Sequence, residues 1–266
     1  TVEYNFNISL DQRGFPFETS DQVFCSPGIF DLDQDGNNEV IFGDNSGMFY
    51  ILNEEDMSIY NSYDVGDEIW GAPTIDDLDG DGNYEIVITS KNKSFYIFNY
   101  MGEMVFEYAT EHYLMGVAAV GFYSDGSKRI VIPTYSNSGD ILSFKYNPGG
   151  SHEITVFDVN KKIKKGVAVH DFNGDGISDY VYGTDDNTLE VATSTVEGGL
   201  YEVVNVFETE GKVQSAPIII EFRDDEYLVI AGSKDNNLYA FNPILATEHF
   251  VYETGGDVES PSVFEH

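Results

Sequence analysis

Short apolar runs recur along the chain, each cut off by a cluster of Gly, Asn, Asp or Ser. One set covers residues 40–43, 86–89, 130–133, 180–183 and 228–232. Polar turns follow, such as Asp44-Asn45-Ser46-Gly47, Lys91-Asn92-Lys93, Asp185-Asp186-Asn187 and Lys234-Asp235-Asn236-Asn237. A second apolar set then covers 49–52, 95–98, 141–144, 189–192 and 238–241, and a more variable segment follows it, as at 58–63 and 105–108. Runs this short, rich in Val, Ile, Tyr and Phe and bounded by turn residues, predict strands. No segment predicts a helix.

The order repeats. Pro27, Pro73, Val117, Val167, Pro217 and Pro261 occupy equivalent places, 44 to 50 residues apart, each ahead of an apolar strand. That is the length of one four-stranded propeller blade. The expected fold is all-β: a single β-propeller domain over residues 1–266, with six blades of four antiparallel strands. The last blade would be closed by both termini, with 5–10 and 15–18 as third and fourth strands and 261–264 as a first strand. Thr1 reads as the start of a mature or excised segment of a longer protein.

Between the first and second strands of three units lies one nine-residue pattern. It reads Asp31-Leu32-Asp33-Gln34-Asp35-Gly36-Asn37-Asn38-Glu39, then Asp77-Leu78-Asp79-Gly80-Asp81-Gly82-Asn83-Tyr84-Glu85, then Asp171-Phe172-Asn173-Gly174-Asp175-Gly176-Ile177-Ser178-Asp179. A hard cation such as Ca²⁺ takes several oxygens, and a short loop supplies them by curling around the ion. Side chains at positions 1, 3 and 5 face inward, glycine at 6 permits the turn, position 7 offers a backbone carbonyl and a later acid closes the shell. The expected ligands are Asp31, Asp33, Asp35, Asn37 and Glu39; Asp77, Asp79, Asp81, Asn83 and Glu85; and Asp171, Asn173, Asp175, Ile177 and Asp179. The bland alternative is an Asp/Gly turn, but carboxylates about 4 Å apart repel by roughly 1–4 kcal/mol per pair, a strain no turn requires. About three Ca²⁺ per chain are therefore expected. The third unit (Gly121 to Arg129) and the fifth (Glu221 to Glu226) have lost most ligands, and Arg223 stands where a ligand would be, its guanidinium replacing the metal's charge.

Composition narrows the setting. The 266 residues carry 47 acids against 13 bases, a net charge of −34, which repels nucleic acid and anionic membranes. Three calcium ions would offset only a small part of it, so the acidity suggests a saline or calcium-rich exterior. No apolar run approaches the ~20 residues that span a bilayer, so no membrane insertion is expected. The lone Cys25 excludes an intrachain disulfide framework and occupies a small-residue position, which reads as a packed thiol.

These units resemble the FG-GAP/VCBS-type repeats of integrin-α-like bacterial propellers, with their D-x-D-x-D-G-x-x-[DE] loops. The stretch from Gly232 to Asn242 is similar to repeats of quinoprotein-like propellers, although a single tryptophan, Trp70, argues against quinone binding. The resemblance implies calcium loops in the first-to-second strand hairpins and a place in a large secreted or cell-surface protein. It transfers no activity. The five histidines lack metal-ligand spacing, and His170 beside Asp171 reads as a strand residue. Lys161-Lys162-Ile163-Lys164-Lys165 reads as a solvated or guarded edge, or as a patch for an acidic glycan or for the chain's own acidic surface. On the face opposite the calcium loops, Trp70, His112, Tyr113, Tyr135, Lys164 and Asn236 are candidates for binding a protein or glycan. The expected role is a non-catalytic, extracellular or cell-surface interaction module. The alternatives are a calcium-dependent polysaccharide-degrading enzyme of lyase type and an architectural spacer.

Overall fold

The structure is a computed structural model that describes residues 14, 16–123, 125–194, 201–223 and 226–259. It contains twenty strands in five four-stranded sheets and, among the described residues, no helix. The first sheet holds β1 (Gly28–Phe30), β2 (Glu39–Gly43), β3 (Met48–Asn53) and β4 (Ile59–Asp64), and the second β5 (Thr74–Asp76), β6 (Glu85–Thr89), β7 (Ser94–Phe98) and β8 (Met104–Ala109). The third holds β9 (Ala119–Phe122), β10 (Lys128–Pro133), β11 (Asp140–Lys145) and β12 (Glu153–Asp158). The fourth holds β13 (Val167–His170), β14 (Asp179–Gly183), β15 (Thr188–Thr193) and β16 (Glu202–Glu208), and the fifth β17 (Ile218–Arg223), β18 (Glu226–Gly232), β19 (Asn237–Asn242) and β20 (Thr247–Glu253). Each sheet is antiparallel and follows chain order.

Burial explains the sequence pattern. The second and third strands are buried on both faces, so they read as continuous apolar runs; β6 and β7 have no exposed residue. The fourth strands of the first four sheets alternate, as in β8, because one face covers the neighbouring sheet and the other meets water, while β20 is exposed throughout. Four apolar clusters sit between successive sheets, one per interface. A fifth, around Phe42, Tyr50 and Leu52, lies on the outer face of the first sheet, where Phe17 packs edge-on against Phe42 and Tyr50.

A repeated lock joins the sheets. At the end of β2, β14 and β18 stand Gly43, Gly183 and Gly232, and Ile69, Val213 and Val258 press against them. A Cβ on these glycines would lie 2.3 or 2.4 Å from a methyl carbon of that partner. Only glycine admits the contact.

Two expectations change. Val131 pairs with Ala119 as Val87 pairs with Thr74, so the third unit begins at Ala118, one residue later than Val117. The sixth blade rests on 5–10, Phe15 and 261–264, which lie outside the described residues, and 16–18 form no strand.

Candidate metal centres

The three acidic loops connect β1 to β2, β5 to β6 and β13 to β14, and they share one set of five hydrogen bonds. In the second loop, Asp77 accepts from the amides of Asp81 and Gly82, Asp79 from Asp81, Asp81 from Asn83, and Glu85 from Leu78, at 2.7 to 3.1 Å. The same bonds recur one for one in the first loop and the third. Amides that bond the rims of the carboxylates fix their rotamers. Positions 4 and 6 are left-handed in every copy: Gly80 and Gly82, Gly174 and Gly176, but Gln34 (φ 61°) and Gly36 in the first.

This folding gathers the acids. One carboxylate oxygen each of Asp31, Asp33 and Glu39 lies within 4.8 Å of the others, and so do those of Asp77, Asp79 and Glu85. The fifth-position acids Asp35 and Asp81 stand outside these triads and bond the amides of Asn37 and Asn83. The closing acids Glu39, Glu85 and Asp179 are buried. Burial, opposed by the Leu78 amide and reinforced by Asp79, Asp81 and Asp77, raises the Glu85 pKa to about 7. Burial raises Asp179 to about 6 and pushes Glu39 and Asp79 upward.

In the third loop the same bonds hold Asp171, Asn173, Asp175 and Asp179, but with one carboxylate fewer its acids form no triad within 4.8 Å. Asp175 Oδ2 and Asp179 Oδ1 are buried and make no hydrogen bond. An all-oxygen donor set, preorganised by amides and holding unpartnered oxygens, fits a hard cation. Asn37, Asn83 and Ile177 could add backbone carbonyls to the three shells.

The register keeps Arg223 at the third place of the fifth loop, since Ile220 pairs with Leu228 as Phe30 pairs with Glu39, and it adds a second guanidinium. The buried closing position that is Glu39, Glu85 and Asp179 in three blades is Arg129 in the third and Leu228 in the fifth, since Arg129 pairs with Gly121 as Glu85 pairs with Asp76. Arg129 is buried, lies 4.5 Å over the Tyr123 ring and bonds Glu153 at 2.8 Å. A guanidinium thus occupies the buried closing position of the third blade. Arg223 ends β17 and stacks on Phe222. The loop from Gly121 to Arg129 already places Arg129 ninth in the sequence; what the sequence did not show is its burial.

Contacts between blades were invisible in the sequence. Gln34 donates to the Gly82 carbonyl at 2.8 Å, joining loop one to loop two. Lys128 donates to Asp76 Oδ1 at 2.6 Å and to the Asp77 carbonyl at 2.8 Å, joining loop two to the third hairpin. A cleft of about 310 Å³ opens there, lined by Asp77, Asp79, Lys128, Lys145, Tyr146 and Asn147.

At the other end of the strands, the β2–β3 type turns zip to the connections between sheets, as in Ile69 to Asp44, Asp185 to Lys162 and Lys234 to Lys212. The opposite-face candidates all lie in these segments but do not converge. Tyr113 and Tyr135 pair as a bridge, with Lys93 and Lys162 over their rings. Trp70 donates to Glu68 and lies under Lys91, Lys164 donates to Gln214, and Asn236 is a left-handed turn residue (φ 69°). His112 lies 3.5 Å from Ser138 and 3.9 Å from Asp140 through the same ring nitrogen. Lys161 pairs with buried Glu190 and Lys164 lies 4.0 Å from Glu259, so two of the four lysines in the run meet the chain's own acids. His170 packs on Phe172 and Tyr227, and the Cys25 thiol is buried against Gly43.

Comparison with solved structures places this arrangement. The chain is similar to BBS1N, in a crystal structure of its complex with ARL6DN, with a TM-score of 0.64 at 14% identity over 89% of this chain and 70% of that one. It is similar to the RRP9 WD40 repeats (TM-score 0.63, 15% identity, 93% and 71% covered) and to BamB from Moraxella catarrhalis (0.58, 16%, 89% and 63%). The fold is a β-propeller. Comparison with protein-family models and with curated protein sequences gives no match. At these identities the propeller neighbours share architecture, and the acidic loops speak only through their own chemistry.

Proposed function

We propose that this propeller is a calcium-stabilised, non-catalytic interaction module of FG-GAP/VCBS type, working outside the cell or at its surface. The observation that carries it is the pair of carboxylate triads, each drawn within 4.8 Å. Such crowding is unfavourable without a cation. Asp31, Asp33 and Glu39, and Asp77, Asp79 and Glu85, would hold two ions, and Asp171, Asn173, Asp175 and Asp179 a third. Calcium bound to the folded state alone stabilises it by mass action. The partner, a protein or a glycan, would dock on the face opposite the loops. The complex of a structural neighbour, BBS1N with ARL6DN, supports a protein.

The test is a thermal melt of the metal-stripped chain, titrated with Ca²⁺ and then with Mg²⁺, beside calorimetric counting of ions. A large rise with Ca²⁺, little with Mg²⁺, and about three ions bound are expected. No shift and no ions would reduce the loops to turns. A second reading, a calcium-dependent polysaccharide-degrading enzyme, draws on the cleft where Lys145 and Tyr146 stand beside loop two. Release of unsaturated uronate from polygalacturonate in the presence of Ca²⁺ would favour it over the binding module.

A further inference from the structure

The connections between sheets form an inner rim on the face opposite the loops. Two residues ahead of the unit starts stand Cys25, Gly71, Gly116, Lys165 and Ser215. The backbones crowd here: a Cβ on Gly71 would lie 2.7 Å from the Gly116 carbonyl oxygen, and one on Gly116 would lie 2.7 Å from that of Lys165. Four of the five positions are accordingly small, and Lys165 is the exception. Its carbonyl accepts from the Val117 amide at 2.7 Å, but its side chain is half-buried and, among the described residues, makes no hydrogen bond or ion pair, Glu259 acting on it only through space. Burial and neighbouring Lys164 hold its ammonium below the usual lysine range. Lys164 is satisfied by Gln214 at 3.0 Å, and Glu259, 4.0 Å from Lys164, is taken by Lys234 at 2.5 Å.

One position earlier, the rim carries Phe24 and Trp70 on its other half. Phe24 is 55% exposed and meets Trp70 edge-on at 5.8 Å. Lys91 stacks 4.7 Å over the indole and bonds Glu68, which also accepts from the indole N–H, so Trp70 is held in place. The rim is thus half aromatic and half cationic, on a chain whose net charge is −34.

We infer that this rim docks a segment of a partner protein that lays an apolar side chain on Phe24 and Trp70 and sets a carboxylate against Lys165. The inference rests on the reading of the chain as an interaction module. Charge complementarity commits it to an acidic segment. The acidic surface elsewhere repels such a segment, and among the described residues Lys93, Lys162 and Arg223, which also lack an ion pair, lie over aromatic rings, whereas the Lys165 ammonium has no direct partner, so the rim fixes both place and register. Exposed aromatics on a rigid rim supply the apolar anchor.

The experiment selects random dodecapeptides displayed on phage against the calcium-loaded full chain. Binders are then measured as synthetic peptides on the parent protein and on Phe24→Ser, Lys165→Glu, Tyr113→Ser and Lys145→Glu. The expected result is enrichment of peptides with an acid close to an aromatic or aliphatic residue. Their affinity should fall by roughly tenfold or more in Phe24→Ser and Lys165→Glu, and hardly at all in the other two. Phe24→Ser carries the test alone if Lys165→Glu lowers the melting temperature. Peptides that bind all variants equally, or that lose affinity only in Tyr113→Ser or Lys145→Glu, overturn the rim while leaving an interaction module. Failure to select any peptide counts against both.

Discussion

Without a cation, Glu85 is a buried carboxyl facing two other acids within 4.8 Å, and it answers by holding its proton. Its pKa is raised from 4.5 to about 7, so between those values the folded chain keeps a proton that the unfolded chain has released. Stability contributed by this group is complete below the unfolded value and lost as pH rises through about 7. The metal-stripped protein should therefore melt higher near pH ~5 than near pH ~8, and Glu85→Gln should flatten that slope. With Ca²⁺ the order should reverse, because the cation takes only the deprotonated carboxylate. Melting temperatures across pH, with and without calcium, check both signs. Arg129 offers the complementary case, a buried cation in the blade that lacks the acids. Arg129→Met should stay within about 1 kcal/mol of the parent, since an apolar side chain can fill the buried place and leaves only the exposed Glu153 without its partner. Arg129→Glu should cost about 3–5 kcal/mol, because it leaves a buried charge without a partner. Denaturant melts read the difference. Calcium should not rescue Arg129→Glu, since Gly121 and Tyr123 offer no carboxylates there.

At the level of strands and hairpins, the sequence was legible wherever burial alone sets the pattern. The second and third strands are enclosed on both faces, so their apolar runs marked them to within a residue or two. The acidic loops were legible because their ligands are local: nine residues supply every carboxylate of a triad. What escaped depends on neighbours a full blade away. Lys128 meets Asp76 from 52 residues downstream, Gln34 reaches Gly82 from 48 upstream, and Asp185 gathers Lys212, Gln214 and Tyr135. Nothing in a linear pattern names such partners. Arg129 was missed for a different reason: it stands ninth in the frame from Gly121 to Arg129, at the closing position, but a basic residue there is not read as a replacement for the acid until its burial is seen. The glycine lock makes a prediction of this scale. Gly183→Ala places a methyl 2.3 Å from Val213 Cγ1 on a connection held by the Val213 to Thr184 hydrogen bond, so the backbones must part. A loss of about 1–3 kcal/mol is expected, and Gly183→Val should lose more. Gly149→Ala, where a Cβ meets nothing within 4 Å, is the matched control. Equal melting temperatures for the two alanine variants would show that the lock does not set blade spacing.

Across the whole molecule two kinds of charge repulsion are superimposed, and they respond to different ions. The net charge of −34 comes from 47 acids against 13 bases, far more acids than the six in the two triads. Repulsion of that kind is screened by any salt once separations pass a Debye length, about 8 Å at physiological ionic strength. The triads are different. Their oxygens lie within 4.8 Å and their closing acids are buried, inside the distance that mobile ions screen. Sodium chloride should therefore raise the melting temperature of the metal-stripped chain gradually and then level off. Calcium at matched ionic strength should add a further, saturable rise, because it enters the shells that salt cannot reach. The Asp77→Asn, Asp79→Asn double variant should keep the salt response and lose part of the calcium response. If instead sodium chloride at equal ionic strength reproduces the whole calcium effect, the loops hold no ion. The fold would then carry its acidity as a surface property, and the glycine lock with the apolar clusters between sheets would hold the blades together unaided.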